Sequence, residues 1–491
     1  MSKIDISKKK IIFLGYGGVA KATLFYLDAY FNYDIKKVYL IDKCKAQFYG
    51  PHITRVKAQI CEQITTNNFC DILNKIGIKS GDIIIDLSTN TPTYYFFKLC
   101  LEKGYNYINT SIEDGDDVFF GTSIDVQHKE LTKIYNTVKK NQQIKCNVLT
   151  ECGQNPGLIQ HYVLYGLNQM NKLKHNTTRD DYSKETLCKV IDNYKVGTIF
   201  CSEIDNMYMK KEIKNYKDII YNTWSVCGLI DEGFDKTELV VGRRNYNIQP
   251  VFPKKMIDFN KMEIIPKDEN QEYDIIFLKD IGMNNTLTSI CPILNSNNNI
   301  LYKQYRGNLI HHGEMFEMAR FFGKKTPFMT YVYKMNRYAE QSITNYFLNN
   351  MMVDDTDLRL QLLNKCGSFC VLDNIVKSEN ERTYGHDSIG ATFFCGTKKV
   401  ERAFWCGSIL SDTDEIDKRF TPTIVQVAAG VLSGLSYILE PNNQNMGWVE
   451  PCDLDTKYMI TKSAPLLGKF LFTEIPSENL KDFSFDYKRK P

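Results

Sequence analysis

The 491-residue chain is longer than a single hydrophobic core supports, so two or three domains are expected. Its 61 lysines and arginines nearly cancel its 58 acidic residues, leaving a net charge of +3, and the cations are scattered rather than striped, which gives no case for nucleic-acid binding. Fifteen cysteines without one C-x-x-C pair argue against a zinc or thioredoxin-type site, and their odd number, with no signal peptide, points to reduced thiols in the cytoplasm.

In chain order, the first informative stretch is the apolar run Ile11-Ile12-Phe13-Leu14, which breaks into Gly15-Tyr16-Gly17-Gly18-Val19-Ala20 and continues as a helix with Ala20, Leu24 and Leu27 at helical spacing. A G-x-G-x-x-A turn between a strand and a helix is the phosphate-binding turn of a dinucleotide-binding βαβ unit. Gly15 serves the tight turn, Gly17 lets backbone approach a pyrophosphate, and Ala20 lets the helix lie close on its strand. The free N–H groups at Gly18 and Val19 face the phosphates, where the helix dipole favours negative charge. The second strand, Val38–Ile41, ends in Asp42, which accepts hydrogen bonds from ribose hydroxyls and repels a 2′-phosphate; this predicts NAD rather than NADP.

Further strands are expected at 82–87, 105–109 and 146–150, with a helix near 94–102. The result is an α/β, Rossmann-type doubly wound parallel sheet, with ligands at the carboxyl ends of its strands. Those ends carry Asp86-Leu87-Ser88-Thr89-Asn90, Asn109-Thr110-Ser111-Ile112-Glu113 and Thr150-Glu151-Cys152-Gly153-Gln154-Asn155-Pro156-Gly157. Ser88 and Thr110 are assigned to the cofactor. From about residue 158 the alternation stops, and segments such as 197–205, 275–278 and 329–333 suggest a second, α+β domain with a mixed or antiparallel sheet. Asn285–Asn299 and Asn442–Asn445 are asparagine-rich and expected as loops. The apolar stretch Thr421–Leu439 contains Gln426, Ser433 and Ser436 and reads as a buried helix rather than a membrane span. The expected domains are 1–156 for the dinucleotide, 157–410 for substrate and dimerisation, and 411–491 as a helical segment packing back on the first.

Three clusters offer chemistry. Trp224 lies shortly ahead of Asp231 and Glu232, a plausible seat for an organic cation, although a core tryptophan beside an acidic turn is the commoner arrangement. Glu203 and Asp205 share one face at the end of an apolar strand, where solvated acids are the commoner finding. His311-His312-Gly313-Glu314 offers a base and a carboxylate but no third ligand at metal-like spacing, so no metal is expected.

Jointly, the G-x-G-x-x-A turn, Asn109–Glu113, Gln154–Gly157, Asn222-Thr223-Trp224-Ser225-Val226 and His312-Gly313-Glu314, in that order, resemble bacterial-type homospermidine synthases of the saccharopine-dehydrogenase-like group. His386–Gly390, Trp405–Ser408 and Gln426–Gly434 extend the resemblance over nearly the whole chain, while Glu238–Tyr246 lacks the Gly-Trp-Gly-Thr-His pattern associated with the family. The resemblance implies a redox-neutral, NAD-dependent coupling of two putrescines to homospermidine with release of ammonia, in a homodimer, and leaves open whether spermidine competes with putrescine. It places Glu113, Asn155, Glu203, Trp224, Glu232 and His312, with Asn90 as a weaker candidate, on the polyamine. Glu203 and Asn155 would hold the reacting amine, His312 (or its neighbour His311) would shuttle protons with Glu113 beside it, Trp224 would stabilise the cation, and Glu232 would hold the distal amine. The competing reading is a saccharopine- or carboxyspermidine-type dehydrogenase, which needs an arginine clamp for a carboxylate; the arginines near these segments are Arg243, Arg244, Arg306 and Arg320. A NAD-binding scaffold without turnover is the third reading, disfavoured by the acids, tryptophan and histidine together.

Overall fold

The computed structural model describes residues 3–48, 52–89, 91–113, 123–210, 219–242, 262–264, 272–349, 369–371, 383–397, 399–481 and 483. Two compact units divide the chain: Met1–Leu158 with Ile424–Ser463, and Ile159–Thr423 with Ala464–Pro491. The stretch after residue 410 therefore contributes to both units, and it contains the strands Gly447–Val449 and Lys469–Glu474 as well as helices.

The first unit is built on a seven-stranded, all-parallel sheet in the order Gly447–Val449, Asn147–Leu149, Asn106–Asn109, Ile83–Asp86, Ile11–Leu14, Val38–Asp42, Ala58–Cys61. The five strands expected from sequence are present; Ala58–Cys61 and Gly447–Val449 add to them. The six strands from Ala58–Cys61 to Asn147–Leu149 follow the doubly wound order of dinucleotide-binding folds, with the order reversing at Ile11–Leu14. Ile11–Leu14 and Ile83–Asp86 are buried throughout, as expected of parallel strands covered on both faces. Ile12, Leu14, Ile84, Phe96, Phe97 and Val148 share one core cluster. The helix Pro422–Ile438 occupies the apolar stretch read as a buried helix. Among the described residues, no helix is long and apolar enough to cross a membrane.

The second unit centres on a ten-stranded mixed sheet. Its central strand, Val196–Asp205, is buried over its whole length and pairs parallel with Phe328–Lys334 on one side and antiparallel with His386–Cys395 on the other. The remaining pairings of this sheet are antiparallel. The loop expected over Asn285–Asn299 is corrected: Thr286–Leu294 is a strand paired in a hairpin with Ile300–Ile310, and only the segment joining the two strands is a turn. The asparagines at both ends obscured the apolar residues between them. Leu287, Ile290, Cys291 and Leu294 enter the core beside Phe200, Ile204, Val332, Phe394 and Trp405.

Period-two alternation then decides which side chains the central strands show. Phe200 and Ile204 point into the core cluster, so Cys201, Glu203 and Asp205 lie on the opposite face. By the same rule Val332 enters the core and Tyr331 and Tyr333 take the face of Glu203. Asp387 stands directly opposite Asp205 in the ladder and shares that face.

Gly15 adopts φ +75°, and a Cβ there would lie 2.7 Å from the Leu87 carbonyl oxygen and the Ser88 Cα. A left-handed conformation costs an L-residue roughly 1–2 kcal/mol before any clash is counted. Gly15→Ala is therefore expected to lower the melting temperature by several degrees, at roughly 2–4 °C per kcal/mol in a unit of this size. An unchanged melting curve by scanning calorimetry would contradict the close approach of Gly15 to the Leu87–Ser88 backbone.

Candidate active site

In the first unit the geometry around the glycine turn suits a pyrophosphate. A Cβ at Gly17 would meet nothing within 4 Å, so the backbone there faces open space. The helix Gly18–Tyr30 has no side-chain cap at Gly17, which leaves its first N–H groups for an anion. Gly18 and Val19 are half-buried while Ala20 is fully buried against the sheet. Asp42 sits at its strand end as expected, and its carboxylate is also a structural part of the turn. Its two oxygens accept from the Tyr16 and Cys44 backbone N–H groups, each at 2.7 Å.

Ser88 donates its hydroxyl to Asp86, which also accepts from Tyr107 Oη at 2.8 Å; burial holds the Asp86 carboxyl above the usual carboxylate range. Thr110 is half-buried at the neighbouring strand end. Glu113 accepts from Ser111 Oγ at 2.6 Å and donates its backbone N–H to Thr93 Oγ1 at 2.9 Å. Asn155, half-buried, lies in a loop closed by the Gly153 N–H donating to the Pro156 carbonyl and carrying a cis Asn155–Pro156 peptide. Asn90 lies outside the described residues. Elsewhere in this unit the buried His128 ring meets Glu151 through Nε2 and Glu450 through Nδ1, each at 2.9 Å. The two carboxylates therefore meet opposite nitrogens of the ring.

In the second unit Glu203, Trp224, Glu232 and His312 join one network. Tyr331 Oη donates to Glu203 Oε2 at 2.5 Å, and the Tyr331 ring lies 4.5 Å from His312 and 5.9 Å from Tyr333, centroid to centroid. Tyr333 Oη accepts from Trp224 Nε1 at 3.1 Å. His312 contacts Glu314 through Nδ1 at 3.1 Å and Glu232 through Nε2 at 3.0 Å. His311 turns elsewhere, with its Nδ1 2.8 Å from the Lys236 carbonyl.

The Asn-Thr-Trp-Ser run divides into scaffold and working parts. Thr223 Oγ1 donates to Asp205, Asn336 Nδ2 bridges Asp205 at 3.1 Å and Asn222 at 3.0 Å, and Thr421 Oγ1 donates to the Thr223 carbonyl at 2.7 Å. Ser225 caps the helix Val226–Gly233 by accepting from the Gly228 N–H at 3.0 Å. These anchors leave Trp224 half-buried, unlike the fully buried Trp405. A Cβ on Gly228 would lie 2.9 Å from the indole Cζ3, so the ring rests on that turn because the residue there is glycine. Trp224 is thus partly open rather than enclosed, and Glu203 and Asp205, both buried, are not a solvated strand end.

The electrostatics follow from withdrawing acids from water. Burial pushes the Glu203 carboxyl up to about 8, with Asp205 and Glu232 adding repulsion, while the Tyr331 hydroxyl and His312 favour its ionised form. Burial also raises Asp205, to about 6, against the hydrogen bonds from Thr223, Met207 and Asn336. Asp387 is held well above the carboxylate range by burial and by its neighbours Glu203 and Asp205. Burial opposes charge on His312, yet the Glu314 and Glu232 carboxylates outweigh it and hold the imidazole well above its ordinary value, as an imidazolium. The face thus offers acids poised to ionise beside a cation, a half-exposed indole and a fixed proton donor.

Sequence reasoning missed Tyr331, Tyr333 and Asp387 as parts of this face. Their signal was available only in part: Tyr331 and Tyr333 alternate correctly along an expected strand, but the pairing that sets them beside Glu203 is not written in their own segment.

The protonation states carry a stability consequence. Glu203 binds its proton more tightly folded than unfolded, where its value is 4.5, so its contribution to stability falls as pH rises from there to about 8. His312, raised above 6.5, contributes stability at lower pH that is lost as pH climbs through its folded value, in the same direction. Glu203→Gln keeps an oxygen for Tyr331 and removes the buried acid. It is expected to flatten the decline in melting temperature between about pH 5 and about pH 8, and to melt several degrees above the parent at the upper end. A variant less stable than the parent at about pH 8 would contradict a buried, neutral Glu203.

Residues 11–147 match the family model described as the saccharopine dehydrogenase NADP binding domain. The homospermidine synthase of Mesorhizobium japonicum is 25% identical over 476 residues, covering 93% of this chain and 88% of that protein. The homospermidine synthase of Blastochloris viridis is 24% identical over 472 residues, covering 93% and 89% respectively. The solved structure of a homospermidine synthase from Legionella pneumophila, in complex with NAD, superposes with a TM-score of 0.75 at 20% identity, covering 96% of this chain and 92% of that one. The chain is thus similar to homospermidine synthases along nearly its whole length, in sequence and in fold.

Proposed function

We propose that the chain is a NAD-dependent homospermidine synthase, coupling two putrescines to homospermidine and ammonia without net oxidation. The observation that carries this reading is the buried face of the second unit, where Glu203, Asp205 and Asp387 lie beside the half-exposed Trp224 and the Glu232–His312–Glu314 contacts. Uncompensated, buried acids hold their protons; an organic dication supplies the positive charge that lets them ionise. An indole face and carboxylates together select ammonium groups rather than metal ions. A carboxylate-bearing substrate, as in the reductive-coupling alternative, would meet repulsion on this face. Arg306 is no clamp for it, since its Nε donates to Thr286 on the exposed side of the hairpin.

When bound, NAD supplies the acceptor for a hydride that is later returned, and the glycine turn, Asp42, Ser88 and Thr110 would hold it. A lysine-like ammonium has a solution pKa of about 10.4 and must be neutral at the reacting carbon. Glu203 holds its own proton near neutral pH until the bound dication lets it ionise, and the carboxylate then accepts the proton of the reacting ammonium as a stronger base than an ordinary carboxylate. Asn155 holds the reacting nitrogen, and Trp224 stabilises the ammonium or iminium cation across its face. His312, kept as an imidazolium, donates a proton when ammonia leaves. Glu232 holds the distal ammonium, and Glu113 and Asn90 are further polyamine contacts. Putrescine as substrate, a homodimeric assembly and a cytoplasmic setting belong to the same reading.

The direct test is to incubate the purified protein with putrescine and substoichiometric NAD and to separate the polyamines. Homospermidine should accumulate well beyond the NAD supplied, with little reduced nicotinamide in solution. Reduced nicotinamide growing in step with amine loss would instead indicate a simple dehydrogenase. Trp224 adds a second test, because a desolvated cation–π contact contributes about 2 kcal/mol or more. Trp224→Phe should melt near the parent temperature yet lose on the order of thirtyfold in rate. A fully active phenylalanine variant would remove the indole from the mechanism.

A further inference from the structure

Two tyrosines outside the motifs of the family resemblance lie on the acidic face, on a strand beside Glu203. The strand Phe328–Lys334 pairs parallel with Val196–Asp205, with Tyr331 in register with Cys201 and Tyr333 with Glu203. Both rings are buried and stacked at 5.9 Å with an interplanar angle of 20°, so neither hydroxyl can swing without moving the other ring. One hydroxyl donates to the Glu203 carboxyl at 2.5 Å, and the other accepts from the Trp224 indole N–H at 3.1 Å. The opposite edge of the indole rests on Gly228, so the ring plane is fixed from two sides.

We propose that Tyr331 and Tyr333 are positioning residues, Tyr331 aiming and tuning the Glu203 carboxyl and Tyr333 holding the Trp224 indole, so that one strand sets the geometry of both the proton acceptor and the cation seat. This rests on the homospermidine synthase reading for its substrate. A hydroxyl that donates to a buried carboxyl favours the ionised form and fixes the direction of its lone pairs. The groups facing Glu203 are Asp205 on its own strand, Asp387 on the neighbouring strand, Glu232 and His312 from the helix and turn beyond, and Cys201, Tyr331 and Tyr333. The acids push its proton affinity up and His312 and Tyr331 pull it down, so removing Tyr331 shifts the balance in one direction only. The indole is a different case: its attraction for a cation depends on presenting a face rather than an edge, and the hydrogen bond to Tyr333 fixes which is presented.

The test compares Tyr331→Phe and Tyr333→Phe with the parent in the pH profile of kcat/KM for putrescine, and in calorimetric titration of putrescine. Tyr331→Phe is expected to move the acid limb upward by about one pH unit or more, the effect of losing a hydrogen bond to a charged group. Tyr333→Phe is expected to leave that limb in place and to raise KM about tenfold with a smaller change in kcat. Replacing Tyr331 with 3-fluorotyrosine keeps the ring and strengthens the donor, so the limb should move downward; this arm also serves if the phenylalanine variant fails to fold. An acid limb unmoved by either change at 331 overturns the role of Tyr331. A KM unchanged in Tyr333→Phe overturns the role of Tyr333. If the parent binds putrescine but forms no homospermidine, the functional reading fails, and the calorimetric titrations still decide whether Tyr333→Phe weakens diamine binding and whether Tyr331 variants shift its pH dependence.

Discussion

The feature on which the rest depends is the removal of carboxyl groups from water on one face of a central strand. Glu203, Asp205 and Asp387 are nearly fully buried, and such groups ordinarily cost stability unless paired. The protein compensates them unequally. Asp205 is satisfied by Thr223, Asn336 and the Met207 N–H, and it ties down the loop that presents Trp224. Glu203 receives the Tyr331 hydroxyl and remains far from its ordinary value. One acid of the pair thus ties the loop down, and the other is left with its proton affinity raised further from the ordinary value.

The same inequality explains why a histidine is enclosed between two acids nearby. His312 contacts Glu232 and Glu314 through opposite ring nitrogens, which requires both to carry protons. A fixed imidazolium is a poor base and a good local counter-charge. It lowers the proton affinity of Glu203 while Glu232, itself half-buried, stays within reach of solvent. The environment alone thus raises the proton affinity of both groups, of Glu203 by burial and of His312 by its two carboxylates. Acids held away from their preferred protonation trade stability for reactivity, as is common in active sites.

The dinucleotide-binding unit was legible in the sequence nearly strand by strand. Its signals are local: a glycine turn whose φ and close approach only glycine tolerates, strands buried on both faces that read as continuous apolar runs, and an acid at a strand end. The Trp224 motif and the His312 segment were equally visible, though their scaffold and working residues were not separable there. The Thr286–Leu294 strand was misread because flanking asparagines signal turns regardless of what lies between them.

What the sequence by itself determined was therefore the cofactor turn, the strand-and-helix alternation of the first unit and the family resemblance, because each depends on residues close together along the chain. What only the tertiary structure decided was which acids are buried, which histidine nitrogen meets which carboxylate, and that Tyr331 and Tyr333 stand against Glu203 and Trp224. Tyr331 reaches Glu203 across 128 residues, Tyr333 reaches Trp224 across 109 and His312 reaches Glu232 across 80, and the placing of the two tyrosines depends on ladder register. A slip of one residue in the strand Phe328–Lys334 would turn Tyr331 and Tyr333 to the other face.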